Sequence, residues 1–315
     1  MSYFIAQSFS DFDVYNESVK TWDLEFVQLG YGQFHADLVL FGDEDLHVGR
    51  VHYNKLLLQN GSAPPAGYTF AIHNRNSAPF CWRYQDFLPH SIIVFPENRE
   101  LHGVSHPGHH PFIVTISESL LIETAHLLGL PEPNTFIHKG RVCSCDPSSI
   151  NEIQQLLISL CGQVEVTRGH LLDSLLNSHT KRQLTDLLLK SLANSSGIKP
   201  RKRNFKNRTD TVDQIIEFVD ANLSKPITIK QLCTVAGVEE RTLRNLFYEH
   251  FSLSPKKFLN SCRLNAVRNR LVQENPGHTR ISYIANHYGF WHMGQFAKDY
   301  QRQFGELPSD TLTRN

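Results

Sequence analysis

The 315-residue sequence lacks three things: a net charge, a long apolar run and a paired-cysteine framework. No apolar stretch approaches the ~18 residues that a membrane-crossing helix needs. The opening residues, Met1 to Val14, carry no basic leader and interleave Asp11 with Asp13. Neither a membrane segment nor a signal peptide is expected, and the cytoplasm is the expected compartment. The six cysteines are Cys81, Cys143, Cys145, Cys161, Cys233 and Cys262. Cys143-Ser144-Cys145 stands alone, where a metal or redox framework calls for a second pair, so reduced thiols are expected. There is no Ser-His-Asp signature and no phosphate-cradling glycine loop, which argues against an enzyme.

The zero charge hides a division. From Lys199 onward there are 19 Lys and Arg against 11 Asp and Glu, leaving 12 against 20 for the preceding residues. The C-terminal part is therefore suited to a polyanion, and the N-terminal part is not.

Within that basic part the same pattern occurs twice. Thr228 and Gln231 form a capping-box pair, followed by Ile229, Leu232, Cys233 and Ala236 at helical spacing, then Gly237. A glycine there permits the left-handed backbone of a tight turn between crossing helices. Leu243, Leu246, Phe247 and Phe251 make the stripe of a second helix. Ile281, Ile284, Ala285, Gly289, Phe296, Tyr300 and Phe304 repeat the plan. The glycines differ by 52 positions (289 − 237), whereas Leu243 and Phe296 differ by 53 (296 − 243), so the extra residue falls in the second turn. Between the copies, Pro255 to Leu271 reads as a rigid connecting helix with Phe258, Leu259, Cys262, Ala266 and Leu271 apolar. Such a helix would hold two recognition helices at major-groove windows about 34 Å apart. Double-stranded DNA is the expected partner.

The last hundred residues resemble the DNA-binding domain of the AraC/XylS family of bacterial transcription regulators. The resemblance rests on Arg263-Leu264-Asn265-Ala266-Val267-Arg268 and on Gly289-Phe290. The run from Gly289 to Ala297, with Pro308-Ser309, is most similar to the ethanolamine-operon regulators of that family. Trp22, Gln28-Leu29 and Gly32-Gln33-Phe34-His35 extend the likeness faintly into the N-terminal half. The resemblance implies a cupin-like N-terminal domain, activation of transcription, contact with RNA polymerase, and dimerisation. By resemblance only, it also implies ethanolamine acting with adenosylcobalamin. The residues themselves assign no cofactor, and Asp45 to Gly49 is one residue short of the cobalamin motif.

The expected fold class is α+β in two domains. Residues 1–193 form a sensing and dimerising domain, β-rich to about 117 and then helical, with the β part an antiparallel barrel or sandwich. Its strands are read from Leu38 to Phe41, Lys55 to Leu58, Tyr68 to Ile72, Ile92 to Phe95 and Phe112 to Ile116. Helical stretches follow at Glu118 to Leu128, Ser149 to Cys161 and His170 to Leu192, the last with leucines for the core or a dimer seam. Residues 194–210 read as a basic flexible linker containing Arg201, Lys202, Arg203, Lys206 and Arg208. Residues 211–315 form the all-α DNA-binding domain, with helix-turn-helix units at 229–251 and 281–304.

On the first recognition helix Arg241, Asn245 and Tyr248 point away from the apolar stripe, with Arg244 at its margin. Arginine pairs with guanine and asparagine with adenine at ~1 to 3 kcal/mol of discrimination per bidentate contact. On the second, Gly294 and Ala297 have no reach, leaving His292, Met293, Gln295 and Lys298. Lys256, Lys257, Arg263, Arg268 and Arg270 on the connecting helix are candidates for phosphate, with pairing to acidic neighbours the alternative for some of them. Glu239, where the family often has Ser, caps a helix poorly. In the N-terminal half Trp22, Phe34, Tyr68, Phe70 and Trp82 could line a small-molecule pocket or fill the core. His90, His102, His106, His109 and His110, with Glu97 or Glu100, raise the rival reading of a metal-dependent cupin enzyme fused to a DNA reader. A regulator governed by a protein partner is the other alternative.

Overall fold

The computed structural model describes residues 2–19, 24–61, 67–75, 77, 80–82, 85–96, 103–108, 110–197 and 205–314. Trp22, Glu97, Glu100, His102, His109, Arg201, Lys202 and Arg203 lie outside the described residues.

The N-terminal half starts with β1 (Tyr3–Phe9), α1 (Phe12–Ser18), β2 (Leu24–Gln28), β3 (Ala36–Gly42), β4 (Leu46–Tyr53), β5 (Leu57–Gly61) and β6 (Tyr68–Ile72). It continues with β7 (Phe80–Trp82), β8 (Gln85–Phe87), β9 (Ser91–Val94), β10 (Gly103–Ser105) and β11 (Phe112–Ile116). Then come α2 (Glu118–Leu127), α3 (Pro133–Phe136), β12 (Arg141–Ser144), α4 (Pro147–Val166), α5 (Leu172–Leu175), α6 (Ser178–Ala193) and the short β13 (Ser196–Gly197). The C-terminal part is α7 (Phe205–Asp220), α8 (Ile229–Ala236), α9 (Glu240–Phe251), α10 (Pro255–Val272), α11 (Ile281–His287), α12 (Met293–Phe304) and α13 (Pro308–Thr313). No described helix is long and apolar enough to cross a membrane.

A large sheet in the order β1-β3-β4-β11-β6-β9-β12-β13 faces a smaller one, β10-β5-β2, and the ladders are antiparallel. The strand edges follow from alternation. In β5, Leu57 packs into an aromatic core between the sheets, while its neighbour Leu58 points out to the C-terminal helices. In β2, Phe26 and Val27 divide in the same way. The small sheet therefore has two apolar faces, and the second is covered only by the C-terminal helices.

The opposite face of the large sheet is closed by α2, α4 and α6. Asp146 caps α4 by accepting from the Ser148 and Ser149 N–H groups, and Asn177 caps α6. The apolar-striped stretch from His170 to Leu192, read as helical with a break allowed, is divided at that cap into α5 and α6. Its leucines Leu172, Leu176, Leu184, Leu188 and Leu192 pack into the sheet's core. Two elements depart from the sequence reading. β12, set among the helices, pairs with β9 because Val142 and Cys143 are both buried. α7 begins at Phe205, inside the stretch read as linker.

The inter-sheet core contains one polar pair. Tyr15 of α1 donates a hydrogen bond to the Tyr53 hydroxyl at 2.8 Å, both rings buried. Burial pushes the Tyr53 phenol up to about 12. Tyr15→Phe should leave Tyr53 without its donor and cost about 1 to 2 kcal/mol, whereas Tyr15→Phe with Tyr53→Phe should recover most of that loss. Urea unfolding of the four members of the cycle measures it, and additive losses would contradict the pairing.

Candidate nucleic-acid interface

The first unit is fixed by local chemistry. Thr228 and Gln231 cap α8 reciprocally, and Gly237 ends it in the left-handed region at φ 61°. Val238 N–H donates to the Cys233 carbonyl at 3.1 Å, and Leu243 N–H to the Glu239 carbonyl at 2.9 Å. The turn is thereby closed on both sides. Leu243, Leu246, Phe247 and Phe251 of α9 are buried against α7, α8 and α10. Arg241, Arg244, Asn245 and Tyr248 are exposed on the other face, Tyr248 at 58%. Arg244 pairs with Glu240 one turn back, an exposed i,i+4 contact worth only about 0.3 to 0.5 kcal/mol, which a guanine or phosphate can displace. Glu239 makes no side-chain cap bond, as its chemistry suggests.

The second unit repeats the geometry. Gly289 has φ 86°, and Phe290 N–H donates to the Ala285 carbonyl at 2.9 Å. Phe296, Tyr300 and Phe304 of α12 are buried, while His292, Gln295 and Lys298 are exposed. Met293 is a correction: it is half-buried and packs on the core of its own unit rather than standing clear at the helix start.

α10 joins the units by belonging to both cores. Phe258, Leu259 and Cys262 pack with the first, and Leu264, Val267 and Leu271 with the second. Ser254 caps it, and Lys256 and Lys257 are exposed in its first turn. Two other cations require correction as phosphate contacts. Arg263 is half-buried and donates to the Lys225 carbonyl at 2.9 Å, and it backs the Gly289 turn. Arg268 is 3% exposed and is spent on carboxylates. It meets Asp13 of α1 at 2.7 Å and Glu306, after α12, at 2.6 Å. The N-terminal half covers this side of α10.

Arg268 is one part of a wider clamp. Gln28 N–H donates to the Asn265 side-chain oxygen and Asn265 Nδ2 donates back to the Gln28 carbonyl, each at 2.9 Å. Gln28 Nε2 donates to the Gln303 carbonyl at 2.7 Å, and Gln303 Nε2 returns to the Gln28 carbonyl at 2.6 Å. Gly305 (φ 80°) lies so close that an added Cβ would meet the Gln33 backbone nitrogen at 2.9 Å. Arg314 bridges Asp11 and Glu306. Leu29, Leu56, Leu58 and Val104 from the N-terminal half complete the core of the first helix-turn-helix unit.

Phe34, Phe70 and Trp82 are buried packing residues, and Tyr68 carries Lys139 over its ring at 4.1 Å. Burial lowers the pKa of His106. Among the described residues no three His, Cys, Asp or Glu side chains converge to hold a metal ion. Cys143 and Cys145 are buried free thiols, and burial pushes the Cys145 thiol up to about 12. Sequence reasoning passed over Tyr283 and Trp291, both strongly exposed on the second unit. The inserted position in the second turn was the available signal for Trp291.

A family profile described as "Helix-turn-helix domain" matches residues 232–314. The "XylDLEGF operon transcriptional activator 1" of Pseudomonas putida is 31% identical over 159 residues, 50% of this chain and 46% of that one. The "XylDLEGF operon transcriptional activator 2" of the same organism is 29% identical over 140 residues, 44% of this chain and 87% of that one. The chain spans about half the length of several of the curated relatives it matches. A solved structure titled as a probable AraC family transcriptional regulator from Rhodopseudomonas palustris is 35% identical, with a TM-score of 0.31, covering 33% of this chain and 96% of that one. These relatives are transcriptional regulators rather than enzymes.

Arg268→Ala should strand Asp13 and Glu306 in the clamp and destabilise the protein by about 3 to 5 kcal/mol. Lys256→Ala, at an exposed site, should change stability by less than about 0.5 kcal/mol. Chemical denaturation distinguishes the two, and equal effects would mean that Arg268 is not buried in solution.

Proposed function

We propose that this chain, whose C-terminal third carries a helix-turn-helix domain of the AraC/XylS kind, is a promoter-binding transcription activator governed by its N-terminal domain. The observation that carries this reading is the pairing of two helix-turn-helix units on one shared helix, each with a polar recognition face exposed. A rigid α10 sets the distance between the faces, so the two units would read one side of a duplex. The basic balance of the C-terminal part adds sequence-independent attraction to phosphate.

The units divide the work. Arg241, Arg244 and Asn245 have the reach and chemistry for base edges, and Tyr248 flanks them. α12 has small Gly294 where the first unit has Arg241, so it approaches the duplex closely, with Gln295 and His292 beside it and Lys298 on phosphate. Lys256 and Lys257 add phosphate contacts from the first turn of α10. As an activator the protein works in the cytoplasm and contacts RNA polymerase.

The N-terminal domain, cupin-like in this reading, takes a small effector. Exposed Ile158, Val166 and Leu171 on its helical side suit a second copy of the chain. The likeness of the second turn to ethanolamine-operon regulators makes ethanolamine, with or without adenosylcobalamin, the first effector to try. A ligand that binds only the folded chain raises its melting temperature. Unchanged melting with either compound removes that effector assignment and leaves the DNA reading intact.

The DNA reading is tested by incubating the protein with sheared genomic DNA at moderate salt and sequencing what is retained. Enrichment of a few promoters sharing a directional motif supports it; retention of random fragments does not. On a retained promoter, Arg241→Ala should relax preference at one base position by about 1 to 3 kcal/mol. Lys298→Ala should instead weaken all sequences alike and lower the salt slope by about one.

A further inference from the structure

The two turns locate the inserted residue. Up to the turn the units correspond at an offset of 52: Val238 N–H to Cys233 is matched by Phe290 N–H to Ala285 (290 − 238 and 285 − 233). After it the offset is 53, because Leu243 N–H to Glu239 is matched by Phe296 N–H to the His292 carbonyl (296 − 243 and 292 − 239). Val238 and Phe290 both pack on their cores, and Glu239 and His292 are both helix N-caps. Trp291 is the residue without a counterpart.

Its side chain is 71% exposed. It stacks on no ring and makes no side-chain hydrogen bond among the described residues, whereas the neighbouring Phe290 ring meets Phe296 at 5.2 Å. A single exposed tryptophan would be unremarkable on an arbitrary surface. This one stands one residue before the N-cap of α12, at the end of a recognition helix that enters the groove. Within α12, Gly294 and Ala297 have almost no reach, and an added Cβ at Gly294 would meet nothing within 4 Å.

Resting on the reading of this domain as a DNA reader, we propose that Trp291 is the apolar specificity contact of the second unit, packing its indole on a thymine methyl group at the edge of the major groove. The chemistry suits the place. The thymine methyl is the apolar feature of the major-groove code. A broad ring carried on an inserted residue reaches it where short side chains on the helix cannot. The polar first unit and this apolar contact would then read different base types along the site.

The test uses the full chain and a promoter fragment it retains, with thymines in the half-site of the second unit replaced in turn by deoxyuridine, which lacks the methyl. For the native protein one replacement should weaken binding about fivefold to tenfold, a tenfold change being ~1.4 kcal/mol. Trp291→Ala should weaken binding to the thymine fragment by a similar factor and be indifferent to that replacement, and Trp291→Phe should retain part of both effects. Native tryptophan emission should shift on adding the fragment, and the shift should be lost in Trp291→Phe. Because the side chain is exposed, the circular dichroism and melting of both variants should match the native protein. Unchanged affinity of Trp291→Ala, or equal sensitivity to deoxyuridine in Trp291→Ala and the native chain, overturns the proposal. Failure of the native protein to retain any specific fragment instead removes the DNA reading on which it rests.

Discussion

A guanidinium buried among carboxylates from distant parts of the chain organises this molecule. Arg268 lies on α10, Asp13 on α1 and Glu306 just beyond α12. Burying a lone cation is costly enough that the three groups are found together or the pairing is lost. The surrounding carboxylates hold Arg268 charged. Around it, the Gln28, Asn265 and Gln303 amides satisfy backbone groups that a buried sheet edge would otherwise leave unpaired. The polar clamp specifies one docking geometry, while the apolar patch of Leu29, Leu56, Leu58 and Val104 supplies area.

The clamp grips the connecting helix from behind. α10 lends one set of apolar residues to each helix-turn-helix core, so whatever holds α10 holds both units. The recognition faces are left outward because their helices are amphipathic and their apolar sides are already used. α1 links the clamp to the N-terminal half: Asp11 and Asp13 meet the helix-turn-helix domain, and Phe12 and Tyr15 fill the core between the sheets. A change in that core would be felt at Arg268 through a single short helix.

Much of the C-terminal domain was legible in the sequence. Capping at Thr228 and Gln231, the left-handed glycines and the 3.6-residue stripes are local signals, each readable within a few residues. The outward positions Arg241, Asn245, Gln295 and Lys298 follow from the same stripes. The placements of Arg268 and Arg263 share a cause. Periodicity tells which side of a helix faces its own core, but it cannot tell that another element covers a flank. The extra residue was also visible as a change of offset; only the backbone hydrogen bonds identified it as Trp291.

The sequence by itself determined the tandem helices, their turns, the charge division and the strand-rich character of the N-terminal half, because these arise from contacts between neighbours along the chain. The tertiary structure alone decided the sheet order, the two-faced use of β2 and β5, and the burial of Arg268. Those depend on pairings between residues distant in the chain, from Phe112 with Arg50 in the large sheet to Gln28 with Asn265 in the clamp, for which no local pattern carries a signal.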